Sequence, residues 1–175
     1  MNKMICVIAR VISVASAYAG VLLLGASAAW AQDPVSKDQL VGTWILVSAE
    51  TTTAAGVKQP LVEGPDVKGQ LVFDGTRFSF QVISGLPKLA SKDRLITTPE
   101  ENKAVAHGVM SYFGTYSVDE SIGTLMFRIE RSSYPNQNAG EFKRVITRLT
   151  ADDLRYEVPA RIAGGSNVLI WRRAR

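Results

Sequence analysis

The chain has 175 residues, enough for one domain of ordinary size and too few for two. Its formal net charge is +4 at pH 7, with the basic residues scattered apart from a cluster at the C-terminus. A nucleic-acid-binding domain concentrates such residues in one patch or along one helix, so we expect no nucleic-acid partner. One cysteine, Cys6, and one histidine, His107, are too few for a zinc site built from these residue types.

The N-terminal segment has the layout of a secretory signal peptide. Lys3 and Arg10 form a basic start, an uncharged stretch follows, and Ala29–Ala31 matches the A-x-A cleavage pattern. We expect residues 1–31 to be removed as a signal, which leaves residues 32–175 as one periplasmic or secreted domain with no membrane span. The uncharged stretch is also long enough to cross a bilayer, so retention as an anchor is the alternative.

Most of the remaining chain alternates apolar and polar residues with the period of β-strands. Asp74-Gly75 is a strong two-residue hairpin signal, and polar or glycine-rich turns separate the other segments. The predicted strands cover residues 42–50, 69–73, 76–84, 111–119, 124–132, 141–150, 154–158 and 167–173. Eight strands joined mostly by short turns predict an all-β fold, either an antiparallel up-and-down barrel or a sandwich.

One segment between the third and fourth predicted strands interrupts this alternation. Thr97–Glu101 offers a capping hydroxyl, a proline at the first helical position and two acidic residues in the first turn. The pattern predicts a short helix over residues 102–109. His107 lies near its end, where a histidine gains from the helix dipole and commonly has a structural role. Residues 58–68, which contain two prolines and a glycine, are predicted to form a loop.

Several short motifs occur in order between residues 40 and 173. The first strand begins with Gly42-Thr43-Trp44, and the last ends with Trp171-Arg172-Arg173. Between them come Gly64-Pro65-Asp66 with Lys68-Gly69, Thr98-Pro99-Glu100-Glu101, Tyr112-Phe113-Gly114-Thr115-Tyr116 with Val118-Asp119, Glu130 through Pro135-Asn136, and Leu169-Ile170-Trp171. This series resembles the bacterial lipocalin-like domain family.

The resemblance implies a calycin-type barrel, eight antiparallel strands with one short helix, over residues 32–175. It implies little about chemistry, because the family has no single established activity. In lipocalins the tryptophan of G-x-W closes the barrel floor and an arginine of the final strand packs across its ring. The resemblance therefore implies that Trp44 and Arg173 form a structural closure, since a guanidinium over an indole gains a cation–π contact. Arg173 is expected to stack rather than Arg172, because it shares a strand face with Trp171.

The interior of an eight-stranded barrel is either filled by side chains or open to one small ligand. Aromatic residues at alternating positions would line that interior in both cases, and we take Phe80, Tyr112 and Tyr116 as candidate ligand-binding residues. Asn136, in the connection after the strand 124–132, is either an ordinary turn residue or part of the rim of a pocket.

Arg128 and Glu130 share one face of the strand 124–132, and the sequence leaves open whether that face points into the barrel or into solvent. In the interior, Glu130 would need a cation, because an unpaired buried charge is very costly, and Arg128 or Arg144 could supply it. Arg128, Glu130 and Arg144 therefore join the candidates, as anchors for the polar end of a ligand.

These features predict an exported barrel that binds a small hydrophobic or amphipathic ligand. Two alternatives stay open. An isomerase- or cyclase-type enzyme could use the same pocket, with Glu130 as general acid or base. A protein-binding barrel, such as an inhibitor, would act through the loops around residues 56–68 or 86–96 and have a filled interior. The sequence contains no nucleophile or phosphate-binding motif, and it indicates no catalytic residue, metal or cofactor.

Overall fold

Nine β-strands, each antiparallel to its neighbours, form one sheet in the computed structural model, which describes residues 35–175. The strands are β1 (Gly42–Thr52), β2 (Lys58–Pro60), β3 (Lys68–Phe73), β4 (Arg77–Ile83), β5 (Val109–Asp119), β6 (Thr124–Ser132), β7 (Glu141–Leu149), β8 (Asp153–Val158) and β9 (Ser166–Arg173). All except β2 follow one another in chain order, and β9 pairs back onto β1. The prediction of a closed eight-stranded up-and-down barrel is confirmed, and the sandwich is excluded. The expected signal peptide lies outside the described residues.

The short strand β2 corrects the prediction of a loop over residues 58–68. It pairs with the end of β1, where Pro60 stands opposite Glu50. β1 pairs with β3 only over residues 42–45, so the backbone groups at its other end need a different partner. β2 supplies that partner, which is why a segment rich in turn residues is extended here.

Helix α1 (Pro99–Gly108) lies between β4 and β5 and begins three residues earlier than predicted. The Thr98 hydroxyl accepts a hydrogen bond from the backbone N–H of Glu101, and the Glu101 carboxylate accepts one from the N–H of Thr98. The Ser91 hydroxyl donates to the same carboxylate at 2.6 Å. This hydrogen bond, followed by those from the backbone, lowers the pKa of Glu101 to about 2.

Alternate side chains of the barrel strands point inward and form the core. In β6, Leu125, Phe127 and Ile129 are at most 1% exposed. Phe78 stacks on Phe127 with ring centroids 3.8 Å apart. Such contacts fill the part of the barrel that we call its closed end, near the start of β1 and the end of β9.

The closed end is sealed by Trp44 and Arg173. The Trp44 side chain is fully buried and its indole N–H donates to the carbonyl oxygen of Leu40 at 2.8 Å. The Arg173 guanidinium lies 4.1 Å from the centroid of the Trp44 ring, and it donates to three backbone carbonyl oxygens. Those carbonyls belong to Gln39, Val41 and Ala151. Arg173, rather than Arg172, is the arginine that stacks on Trp44.

A β-bulge interrupts the pairing of β5 with β6 at Glu130. Gly114 pairs with Ile129, and Glu130 is the extra residue of the bulge. A Cβ atom at position 114 would overlap the carbonyl oxygen of Arg128, so only glycine fits there. The alternation of β6 already places Ile129 in the core and Glu130 outside it, and the extra residue brings Ser132 opposite Tyr112.

Candidate ligand-binding site

A cavity of about 350 Å³ occupies the end of the barrel opposite Trp44, which we call the open end. Its walls come from the inward faces of β4, β5, β7, β8 and β9, from the end of α1 and from the loop over residues 160–163. The barrel is therefore filled by side chains at one end and open at the other. The volume of the cavity is near the lower limit for pockets that bind small organic molecules.

Most of the cavity wall is apolar or aromatic. Phe80 and Tyr112 stack face to face with ring centroids 4.3 Å apart and planes 8° apart, so they form one flat wall. Both side chains are at most 5% exposed. The other large apolar residues of the wall are Leu61, Val62, Val109, Met110, Phe142, Val158, Ile162 and Leu169. Such a wall gains free energy by removing an apolar molecule from water.

One cation, Arg144, is buried at the inner end of this cavity and is 4% exposed. Its guanidinium donates to the Tyr112 hydroxyl at 3.3 Å and lies 4.6 Å from the centroid of the Phe127 ring. No carboxylate within residues 35–175 forms an ion pair with it. Because an arginine stays protonated in proteins, the interior of the barrel carries a positive charge without a countercharge.

Unpaired polar atoms surround this charge. The Nε of Arg144, the hydroxyl of Tyr156 and the indole nitrogen of Trp171 are buried, and none of them has a partner at full hydrogen-bond geometry in the described part of the chain. Arg144 and Trp171 are still close enough to the Tyr156 hydroxyl to lower the pKa of that phenol. Burial raises the pKa of the phenols of Tyr112 and Tyr156, and the nearby Arg144 offsets only part of that effect. Both phenols are therefore neutral at pH 7, and neither is a tyrosinate that could neutralise Arg144.

Polar residues also stand at the mouth of the cavity. His107, at the end of α1, has its Nδ1 3.0 Å from the Glu63 carboxylate, and it lines the mouth. Arg161 donates to the carbonyl oxygen of Gly164 at 3.4 Å. No aspartate or glutamate among the described residues lines the cavity itself.

The candidate residues Arg128 and Glu130 lie on the outside of the barrel, so the hypothesis that their face lines the interior is wrong. Arg128 pairs with Glu141 at 2.7 Å, and its side chain is 70% exposed. Glu130 pairs with Arg77 at 2.7 Å, which lowers the pKa of Glu130. The apolar face of β6 is the one that gains from burial, and the alternation of the strand places Arg128 and Glu130 on the other side. The expected pairing of Glu130 with Arg128 or Arg144 is likewise absent among the described residues.

The remaining candidates divide between the cavity and its surroundings. Tyr116 is buried near the closed end, where its ring meets that of Phe73 edge-on at 4.7 Å, and it is not part of the cavity wall. Asn136 is exposed beside the mouth and donates to the Tyr134 hydroxyl at 3.1 Å. Tyr134 itself lines the mouth, whereas Asn136 does not. Of the seven candidates, Phe80, Tyr112 and Arg144 line the cavity.

The sequence analysis missed several residues of the wall. Phe142 lies two positions before Arg144 on β7, so the period of two could have placed both on one face. The loop residues from Ala160 to Ala163 and the end of α1 carry no such periodic signal.

Comparison with known proteins places the chain in a family. The model of the lipocalin-like domain family matches residues 41–174, so the chain belongs to that family. No curated protein shows significant similarity to it.

Similar solved structures include a lipocalin-like protein from Bacteroides uniformis, which is 18% identical and has a TM-score of 0.43 over 78% of this chain and 99% of that one. A redesigned β-barrel is 11% identical, with a TM-score of 0.44 over 82% and 99% of the two chains. Lobster apocrustacyanin A1 is 14% identical, with a TM-score of 0.39 over 79% and 63%.

No helix within residues 35–175 is long and apolar enough to span a membrane. The same range contains no group of three or more histidine, cysteine, aspartate or glutamate side chains placed to hold a metal ion.

Proposed function

We propose that this protein binds a small, largely apolar molecule in the cavity at the open end of its barrel, with Arg144 orienting the polar end. The observation that carries the proposal is the cavity itself, an apolar and aromatic wall with one buried cation at its inner end. Membership of the lipocalin-like family supports a ligand-binding role in general. Binding would remove the apolar body of the ligand from water against Phe80, Tyr112 and Phe142.

We also propose that binding takes place outside the cytoplasm, in the periplasm or after secretion. The proposal rests on the sequence of residues 1–31, with its basic start and its A-x-A pattern. N-terminal sequencing of the protein from a bacterial host tests it. A mature N-terminus at Gln32 is expected, and a retained Met1 with membrane association would favour the anchor instead.

Native mass spectrometry of protein purified without detergent, followed by denaturing extraction, tests the binding function. A bound organic molecule at one copy per chain is the expected result. Met110→Trp, which adds bulk inside the cavity, should abolish that binding, whereas Ile45→Trp on the outer surface should not. Retention of the molecule by Met110→Trp would place binding elsewhere and contradict the proposal.

The enzymatic alternative loses its proposed acid–base group, because Glu130 lies outside the cavity. The protein-binding alternative required a filled interior, which the cavity contradicts at the open end. That alternative also requires exposed apolar side chains on a loop, and Leu95 and Ile96 in the loop before α1 are 77% and 73% exposed. The protein-binding alternative would be favoured if Met110→Trp behaves as wild type and Leu95→Ser loses the binding of a partner protein.

A further inference from the structure

We propose that the ligand of the cavity is a small monocarboxylic acid with an apolar body, and that Arg144 is the residue that binds its carboxylate. The inference rests on the binding function proposed above and deepens it by naming the class of ligand. Three features carry it: the missing countercharge, the unpaired donors and the size of the cavity.

The charge of Arg144 is the first feature. A buried charge in a folded protein is normally paired, because the cost of removing it from water is large. Arg144 is 4% exposed and has no acidic partner within the described chain. A singly charged anion would neutralise the site, whereas a neutral ligand would leave the charge unpaired and a cationic one would be repelled.

The unpaired donors are the second feature. Arg144 Nε has a hydrogen to donate and no acceptor at hydrogen-bond geometry among the described residues. Tyr112 accepts from Arg144, and its own hydroxyl hydrogen remains available. A carboxylate offers two oxygens with about four acceptor positions and no donor, so it matches a site that has donors and lacks acceptors. An alcohol or an amine would bring further donors.

The cavity volume is the third feature. At roughly 30 Å³ per water-sized group, 350 Å³ holds about a dozen non-hydrogen atoms. An acid of the size of octanoate fits this limit. The wall above Arg144 is mostly apolar, with Ser133, Gln137 and Asn167 among its polar residues, and it contains no carboxylate of the described residues. The apolar body would therefore contact the wall while the head group lies at Arg144.

Isothermal titration calorimetry on delipidated protein tests the inference with three probes of nearly equal size: octanoate, 1-octanol and octylammonium. We expect octanoate to bind roughly 10- to 100-fold more tightly than 1-octanol, the gain of a hydrogen-bonded charge pair over a neutral head group. Octylammonium should bind more weakly than either. Arg144→Met should abolish the preference, so that the variant binds octanoate no more tightly than 1-octanol.

Arg161→Met is the matched control, because Arg161 also lines the cavity but lies at its mouth. It should keep the preference for octanoate. Tyr112→Phe removes only a hydroxyl and should reduce the affinity for octanoate by a smaller factor than Arg144→Met does, which keeps the test valid if the Arg144 variant fails to fold.

The outcomes distinguish the two proposals. Binding of 1-octanol with no preference for octanoate would overturn the inference and leave the proposed function standing. A preference that survives Arg144→Met or is lost in Arg161→Met would also overturn it. If neither 1-octanol nor octanoate binds the wild-type protein, both proposals fail.

Discussion

Substitution of Arg173 by methionine should destabilise the barrel, because this side chain joins three separate parts of the closed end. Its guanidinium donates to carbonyl oxygens of residues 39, 41 and 151, and it lies 4.1 Å from the Trp44 ring centroid. Each hydrogen bond at a partly exposed position contributes about 0.5–1.5 kcal/mol, and the cation–π contact about 0.5–1 kcal/mol. Because these contributions are not additive, we expect the free energy of unfolding to fall by about 2–4 kcal/mol.

Arg172→Met is the matched control, since it makes the same chemical change at the neighbouring position. The Arg172 side chain is 68% exposed, and its nearest carboxylate, that of Asp153, lies 3.9 Å away. Its removal should change the free energy of unfolding by less than about 0.5 kcal/mol. Arg173→Lys should lose at least half of what Arg173→Met loses, because an ammonium cannot reach three divergent carbonyls or stack flat on the indole.

Urea unfolding followed by tryptophan fluorescence and far-ultraviolet circular dichroism measures these differences. For a domain of this size, a loss of 2–4 kcal/mol corresponds to a fall in Tm of roughly 10 °C. If the free energies of unfolding of Arg173→Met and Arg172→Met differ by less than about 0.5 kcal/mol, the role of Arg173 in sealing the closed end is refuted.

Three further predictions concern other parts of the barrel. Glu101→Gln should remove a pH-dependent part of the stability. Hydrogen bonds lower the pKa of the Glu101 carboxylate from 4.5 to about 2. The contribution of the carboxylate to stability is therefore present above pH 4.5 and is lost as the pH falls through about 2. Thermal unfolding from pH 7 to 2 should show wild type and variant converging at the acid end. Gly114→Ala should cost about 1–3 kcal/mol by urea unfolding, because its Cβ overlaps the Arg128 carbonyl, whereas Ser117→Ala on the same strand should be neutral. Glu130→Gln should leave octanoate affinity unchanged in calorimetry, and a loss above about fivefold, or 1 kcal/mol, would return Glu130 to the site.

The strands and the helix could be predicted from the sequence because both have local signals. The alternation of apolar and polar residues marks a strand, and Thr98 with Glu101 marks the start of α1. β2 has no such signal, since it is extended only because the end of β1 needs a partner. No local pattern shows that β9 pairs back onto β1, and only the family resemblance links Trp44 of β1 to Arg173 of β9.

The candidate site was harder to predict because its residues are brought together by the curvature of the barrel. The orientation of β6 follows from its apolar side, which contains Phe127 and Ile129, and this pattern is visible in the sequence. Arg144 was a candidate both as a partner for Glu130 and as one of three anchors for the polar end of a ligand. That it is buried alone beside Tyr112 depends on the pairing of β6 with β7, which no local pattern encodes.

A crystal structure of the protein with octanoate would show directly whether Arg144 binds a carboxylate in the cavity. We expect the alkyl chain to lie inside the cavity along Phe80 and Tyr112, with a carboxylate oxygen about 2.7–2.9 Å from a nitrogen of Arg144. An octanoate with its carboxylate at the mouth beside Arg161, or a cavity that holds no octanoate at saturating concentration, would contradict this expectation.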